Sequence, residues 1–198
     1  MIISFLASHG GSSAKAIINA IRAGELDASV GMLITNNRDS TILHWCLEND
    51  VNVRHISSKT HRGDENADEA ISTVLQGTNT DLVVCSGYMK PIGPNTRAAF
   101  PNKIINIHPA LLPKHGGKGM YGDYVHAAVL AAGEKVSGAS VHYVTAGIDE
   151  GPCIMQQQVE VLPADTLETL RARVQAIEPS LYIAALKKIL DQQLTTKP

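Results

Sequence analysis

Ile2-Ile3-Ser4-Phe5-Leu6-Ala7-Ser8-His9-Gly10-Gly11-Ser12-Ser13 is the stretch whose reading decides the fold class. Ile2 to Ala7 is mostly apolar and reads as a strand. A glycine turn follows. Ala14 to Ala23 then carries Ile17, Ile18 and Ile21 on one side of a helix that Gly24 ends. Glycines let the backbone come close to a ligand, and a helix start offers unpaired N–H groups to an anion. Ser12 and Ser13 add hydroxyl donors and a candidate N-cap. The turn suits a small phosphate group; the plainer alternative is a tight turn with an ordinary cap. The dinucleotide fingerprint G-x-G-x-x-G is missing, and no acid ends the second strand at Leu33-Ile34-Thr35-Asn36. The Walker pattern G-x-x-x-x-G-K-[ST] is missing too.

The same alternation continues outward. Strands are expected over 29–35, 52–56 and 82–86, and helices over 40–49, 64–75 and 94–100. Alternating strands and helices with short connections specify α/β architecture with a doubly wound, mostly parallel Rossmann-like sheet. Ligands bind beyond the carboxyl ends of such strands. Gly10-Gly11, Gly87-Tyr88-Met89 and the pair Asn106/His108 all lie at those ends, which predicts that the three stretches meet.

Lys103-Ile104-Ile105-Asn106-Ile107-His108-Pro109 reads as a buried strand that ends in chemistry. Asn106 and His108 are two apart, so their side chains leave one face. A carboxamide and an imidazole there are odd core material, although Asn106 capping a turn and His108 as a satisfied core histidine is the bland alternative. Pro109 and Pro113 stop the strand. Lys114 to Gly122 is a glycine-rich surface loop able to close over a substrate. A helix over 124–132 ends at Gly133.

The last third changes character. Strands over 137–144 and 153–161 are expected to pair antiparallel across the turn-rich connector Thr145 to Pro152. Asp165 and Glu168 suggest a capping box opening a long helix. Its apolar positions 167, 170, 174, 177 and 181 form one face. Pro179 is expected to kink or break it near Glu178.

Of the 198 residues, 44% are hydrophobic, enough for one domain with a sizeable core. A net charge of −2 gives no reason to expect nucleic acid or an anionic membrane as partner. No apolar run reaches spanning length. The start Met1 to Ala7 lacks the basic residues of a secretory signal and reads as a strand. Three cysteines without a C-x-x-C pair fit a reduced, cytoplasmic protein. The eight histidines show no metal-ligand spacing.

Asn106-Ile107-His108-Pro109-Ala110-Leu111-Leu112-Pro113 resembles the signature of the 10-formyltetrahydrofolate-dependent formyltransferases. Ser137 to Val144 followed by Ile148-Asp149-Glu150-Gly151-Pro152 resembles its second half, and the likeness runs from Ile2 to about Leu190. The resemblance implies the formyltransferase fold, with an antiparallel C-terminal extension to the sheet. It implies one domain over 1–198, with a phosphate-binding half at 1–100 and a folate and catalytic half at 101–198. The implied activity is transfer of the formyl group of 10-formyltetrahydrofolate, a cosubstrate, to the amine of 5′-phosphoribosylglycinamide in purine synthesis. Another amine such as an amino sugar nucleotide, hydrolysis of the donor, or binding without turnover are the alternatives. Asn106, His108 and Asp149 correspond to the catalytic group. Gly11, Ser12 and Ser13 correspond to the ribose-phosphate site, and Gln175 and Glu178 to a segment that reaches the ribose. Arg62, Met89, Lys90, Pro91, Ile92, Asn106, Thr145, Ala146, Gly147 and Ile148 correspond to the folate site. No metal is implied. Small molecules are the implied partners, with neither nucleic acid nor membrane, for a monomer or homodimer. Ser13, Lys90-Pro91 and Pro179 depart from the family's usual residues.

The chemistry explains the residue types. An amine attacks the formyl carbon and charge develops on the formyl oxygen. Asn106 can donate to that oxygen, and a protonated His108 can donate a charge-assisted bond and pass a proton to the leaving nitrogen. An aspartate beside the ring favours the imidazolium.

Overall fold

The computed structural model describes residues 1–195. In chain order the elements are β1 (Ile2–Ala7), α1 (Ser12–Arg22), β2 (Ser29–Thr35), α2 (Thr41–Glu48), β3 (Val53–His55), α3 (Asp64–Gly77) and β4 (Leu82–Cys85). Then come α4 (Pro94–Ala99), β5 (Ile104–His108), α5 (Asp123–Ala131), β6 (Val136–Tyr143), β7 (Cys153–Glu160) and α6 (Leu167–Thr195). The seven strands form one sheet in the order β3-β2-β1-β4-β5-β6-β7, which is the expected α/β class. The chain divides into two compact units, Met1–Ile105 and the residues from Asn106 onward. Among the described residues no helix is long and apolar enough to cross a membrane.

In the first unit β1 pairs in parallel with both β2 and β4, and β2 with β3. β1 is buried from Ile3 to Ala7 and β4 throughout, as strands covered on both faces must be. Ile3, Phe5, Leu6, Leu33, Ile34 and Val84 are wholly buried, as are Ile17 and Ile18 of α1 and Leu75 of α3. Each such side chain stabilises the fold by about 1.5–3 kcal/mol. Ser12 and Ser13 lie inside α1 rather than ahead of it; the N-cap is Gly11 at φ 57° and no side chain caps the helix. A left-handed residue at the cap is something glycine adopts without strain and serine does not.

In the second unit β6 and β7 pair antiparallel, Val136 opposite Glu160 through Val141 opposite Met155. β6 is buried from Ser137 to His142, whereas β7 is mostly half-buried or exposed. α6 supplies Leu170, Val174, Leu181, Ala185 and Leu186 to this core. Two expectations need correction. The capping box is one residue later than expected: Thr166 N–H donates to Thr169 Oγ1 at 2.9 Å and Thr169 N–H to Thr166 Oγ1 at 3.3 Å. The Asp165 carboxylate instead accepts from Arg173 and from Leu162 N–H. Nor does the helix break at Pro179, since α6 runs through it unbroken. Burial of Val174 before it and Leu181 after it holds both turns, and that outweighs the roughly 3 kcal/mol an interior proline costs.

Candidate active site

Asn106, His108 and Asp149 come together in the second unit. The two residues on β5 point to one face, as their spacing requires. Asp149 reaches them from the β6–β7 connector, held at φ 59°, a conformation that aspartate tolerates better than most residues. The connector passes so close to β6 that a Cβ on Gly151 would collide with the Tyr143 carbonyl oxygen. Asp149 Oδ2 lies 3.3 Å from His108 Nδ1 and accepts from Gly117 N–H at 3.1 Å. Its Oδ1 lies 3.5 Å from His142 Nε2. The aspartate and both rings are nearly shut off from water, so charge acts strongly among them.

His108 Nε2 donates to the His115 carbonyl at 2.7 Å. The ring thus meets an oxygen acceptor on each nitrogen. Glu134 anchors that stretch of loop, accepting from Lys114 at 3.0 Å and lying 3.3 Å from His115 Nε2. Those two bonds hold the Glu134 carboxyl below the usual range.

His142, on β6, is a member of this cluster that sequence reasoning did not single out. Its Nδ1 donates to Tyr143 O at 3.0 Å, so Nε2 faces Asn106 Nδ2 at 3.4 Å. Burial lowers its pKa and keeps the ring neutral. A neutral ring with its proton on Nδ1 offers Nε2 as an acceptor, which turns the Asn106 amide nitrogen inward. The available signal was a polar ring near the carboxyl end of an apolar strand, the same signal that singles out Asn106 and His108. The Gly117 amide and the His115 carbonyl left no signal, because any residue type supplies them.

Of the other candidates in this unit, Thr145 and Gly147 are half-buried, while Ala146 and Ile148 are exposed. Gln175 is exposed and Glu178 half-buried on α6. Burial pushes the Glu178 carboxyl up to about 7. Neither has a hydrogen bond or ion pair to the three residues among those described. No cluster of three or more His, Cys, Asp or Glu side chains among the described residues is set to hold a metal ion.

The first unit carries the remaining candidates. Gly11 cannot take a side chain: a Cβ would sit 2.7 Å from Ile42 Cγ1. Ser12 is exposed and Ser13 buried. The Ala14 N–H is taken by Ser86 Oγ at 3.0 Å and that of Lys15 by Gly11 O, so the anion donors of this helix start are the amides before Ala14. The turn and the segment after β4 do meet, since Met89 N–H donates to Ser8 Oγ at 2.8 Å and Ser8 N–H to Gly87 O at 3.2 Å. Met89, Lys90 and Pro91 are exposed and Ile92 half-buried. Lys90, Pro91 and Ile92 line a cavity of about 1000 Å³ together with Asn36, Ser57 and Lys59. Arg62 is exposed at φ 58° on the loop before α3.

Residues 1–186 match the family model described as formyl transferase. The chain is 34% identical over 193 residues to the chloroplastic phosphoribosylglycinamide formyltransferase of Arabidopsis thaliana, covering 97% of this chain and 66% of that protein. It is 31% identical to the phosphoribosylglycinamide formyltransferase of Haemophilus influenzae, covering 98% of this chain and 90% of that one. The crystal structure of the phosphoribosylglycinamide formyltransferase from Bacillus halodurans superposes with a TM-score of 0.88 at 35% identity, over 96% of this chain and 95% of that one. The chain therefore spans just under two thirds of its plant relative and most of the bacterial ones. A family model matched over residues 1–186, and relatives that share its length and fold, establish that this chain belongs to the formyl transferase family.

Proposed function

We propose that the chain transfers the formyl group of 10-formyltetrahydrofolate to the amine of 5′-phosphoribosylglycinamide, a step of purine synthesis. The observation that carries this is the Asp149 carboxylate beside His108, with Asn106 on the same face of β5. Relatives bearing the name of that activity support the acceptor.

The amine nitrogen attacks the formyl carbon, the new C–N bond forms and the carbonyl electrons move to the formyl oxygen. Asn106 Nδ2–H donates to that oxygen, and His108 Nε2–H joins it by giving up its bond to the His115 carbonyl while Nδ1 stays on Asp149; stabilisation of this kind is worth most in a site with little water. On collapse the bond from the formyl carbon to the folate nitrogen breaks. The amine's proton leaves toward Asp149, and the folate nitrogen takes a proton by way of His108. Asp149 holds the ring in place throughout.

Gly11, Ser12 and Ser13 receive the acceptor phosphate, and Gln175 and Glu178 its ribose. Arg62, Met89 to Ile92 and Thr145 to Ile148 receive the donor; the cavity lined by Lys90, Pro91 and Ile92 supports this. One formyltransferase domain results, with a phosphate-binding first half and a catalytic second half. The chain works in the cytoplasm as a monomer or homodimer, a reading its thiols support.

The test is incubation with both substrates and mass spectrometry of the products. Formylated acceptor and tetrahydrofolate in equal amounts are expected. Donor consumed without formylated acceptor would overturn the assignment.

A further inference from the structure

We infer that Asp68, on α3, is a positioning residue for the formyl donor, acting through the segment Met89–Gly93. The inference rests on the donor reading above.

That segment has no regular structure of its own, so something outside it must set its course. Asp68 is 5% exposed, a rare location for a carboxylate. Its Oδ2 accepts from Asn95 N–H at 2.7 Å, and its Oδ1 from Thr96 N–H at 3.1 Å and Thr96 Oγ1 at 2.5 Å. Those two amides are the second and third of α4, the donors a helix normally gives to its own N-cap side chain. The cap here is Gly93, which has no side chain, and Pro94 at the first position has no N–H. Asp68 therefore caps α4 from another helix. A Cβ on Gly93 would collide with the Asp68 carboxylate, so the glycine is what lets the acid come this close. Arg97 Nη1 donates to the Ile92 carbonyl, and Ser8 Oγ receives Met89 N–H. The segment is thus held at both ends, with Asp68 as its rear anchor.

A residue that only stabilised the fold would impair both substrates alike. Asp68→Asn turns one acceptor into a donor facing N–H groups. It is expected to raise the KM for 10-formyltetrahydrofolate by about tenfold or more, leaving the KM for the acceptor and kcat at saturating donor within about twofold. Thr96→Val removes only the hydroxyl and should raise the donor KM about fivefold, whereas Thr96→Ser, which keeps it, should match the parent. The Thr96 pair decides the matter if the Asp68 variant does not fold. Donor KM values unchanged in Asp68→Asn, or equal in the two Thr96 variants, overturn the inference, as does an equal rise for both substrates. Calorimetric titration with tetrahydrofolate separates the two readings. A parent that binds none overturns the donor assignment and this inference with it; a parent and an Asp68→Asn variant that bind equally overturn this inference alone.

Discussion

The Asp149 carboxylate stands 3.3 Å from His108 Nδ1, and the opposite nitrogen of the ring donates to a backbone carbonyl. Asp149→Asn keeps the shape and the tolerated backbone conformation but removes the charge. We expect kcat to fall by about 10²–10⁴, the range a positioned acid–base group contributes, with both KM values little changed. Steady-state kinetics at saturating substrates check this.

Asn106→Ala removes the donor proposed for the formyl oxygen. The expected loss is about 10²–10³ in kcat. A KM that rises while kcat holds would make Asn106 a binding residue instead.

His142 is expected to act through Asn106. If its ring only orients the carboxamide, His142→Ala and Asn106→Ala together should cost little more than Asn106→Ala alone. Additive losses in the double variant would give His142 a separate role.

The glycine turn has its own test. An acceptor lacking the phosphate should lose at least about 100-fold in kcat/KM, as befits charge-assisted bonds to helix-start amides. Equal turnover of the dephosphorylated amine would remove the phosphate from Gly11, Ser12 and Ser13.

Glu178 makes stability depend on pH. Its carboxyl titrates near 4.5 when unfolded and, because of burial, near 7 when folded. Between those values the folded chain holds a proton that the unfolded chain has released, so stability falls as pH rises through the window. The shift corresponds to on the order of 3 kcal/mol. His126 and His142 act in the opposite sense. Burial lowers both, so their contribution is lost as pH falls below 6.5. Urea unfolding at about pH 5 and about pH 8 should show Glu178→Gln gaining stability relative to the parent at the higher pH, because the loss contributed by Glu178 is absent from the variant.

The alternation was legible in the sequence because each buried strand and helix face carries its own period. Ile2 to Ala7 read as a strand, and Asn106 and His108 stood out against the isoleucines around them. What was not legible came from outside the local segment. Glycine at the α1 cap displaced the serines that looked like caps. Packing on both sides of Pro179 overrode its local preference. The Thr166–Thr169 pair looked no different from Asp165–Glu168, whose acid is drawn off by Arg173. Backbone atoms that touch the cluster, those of His115 and Gly117, have no letter in the sequence to announce them. Asp68 was just one more charge in a polar run until α4 was seen to lean on it.

The tight passage of Gly151 against the Tyr143 carbonyl has a genetic corollary. A saturation library across the connector should recover many letters at Glu150, whose side chain is exposed. At Gly151 it should recover one, because even alanine must push β6 and its His142 aside. Variants lost there would score as dead enzymes without altering any group that meets substrate. A position beside Asp149 would then mimic a catalytic residue in a screen, while its real office is to let two stretches of backbone share a space too narrow for a methyl group.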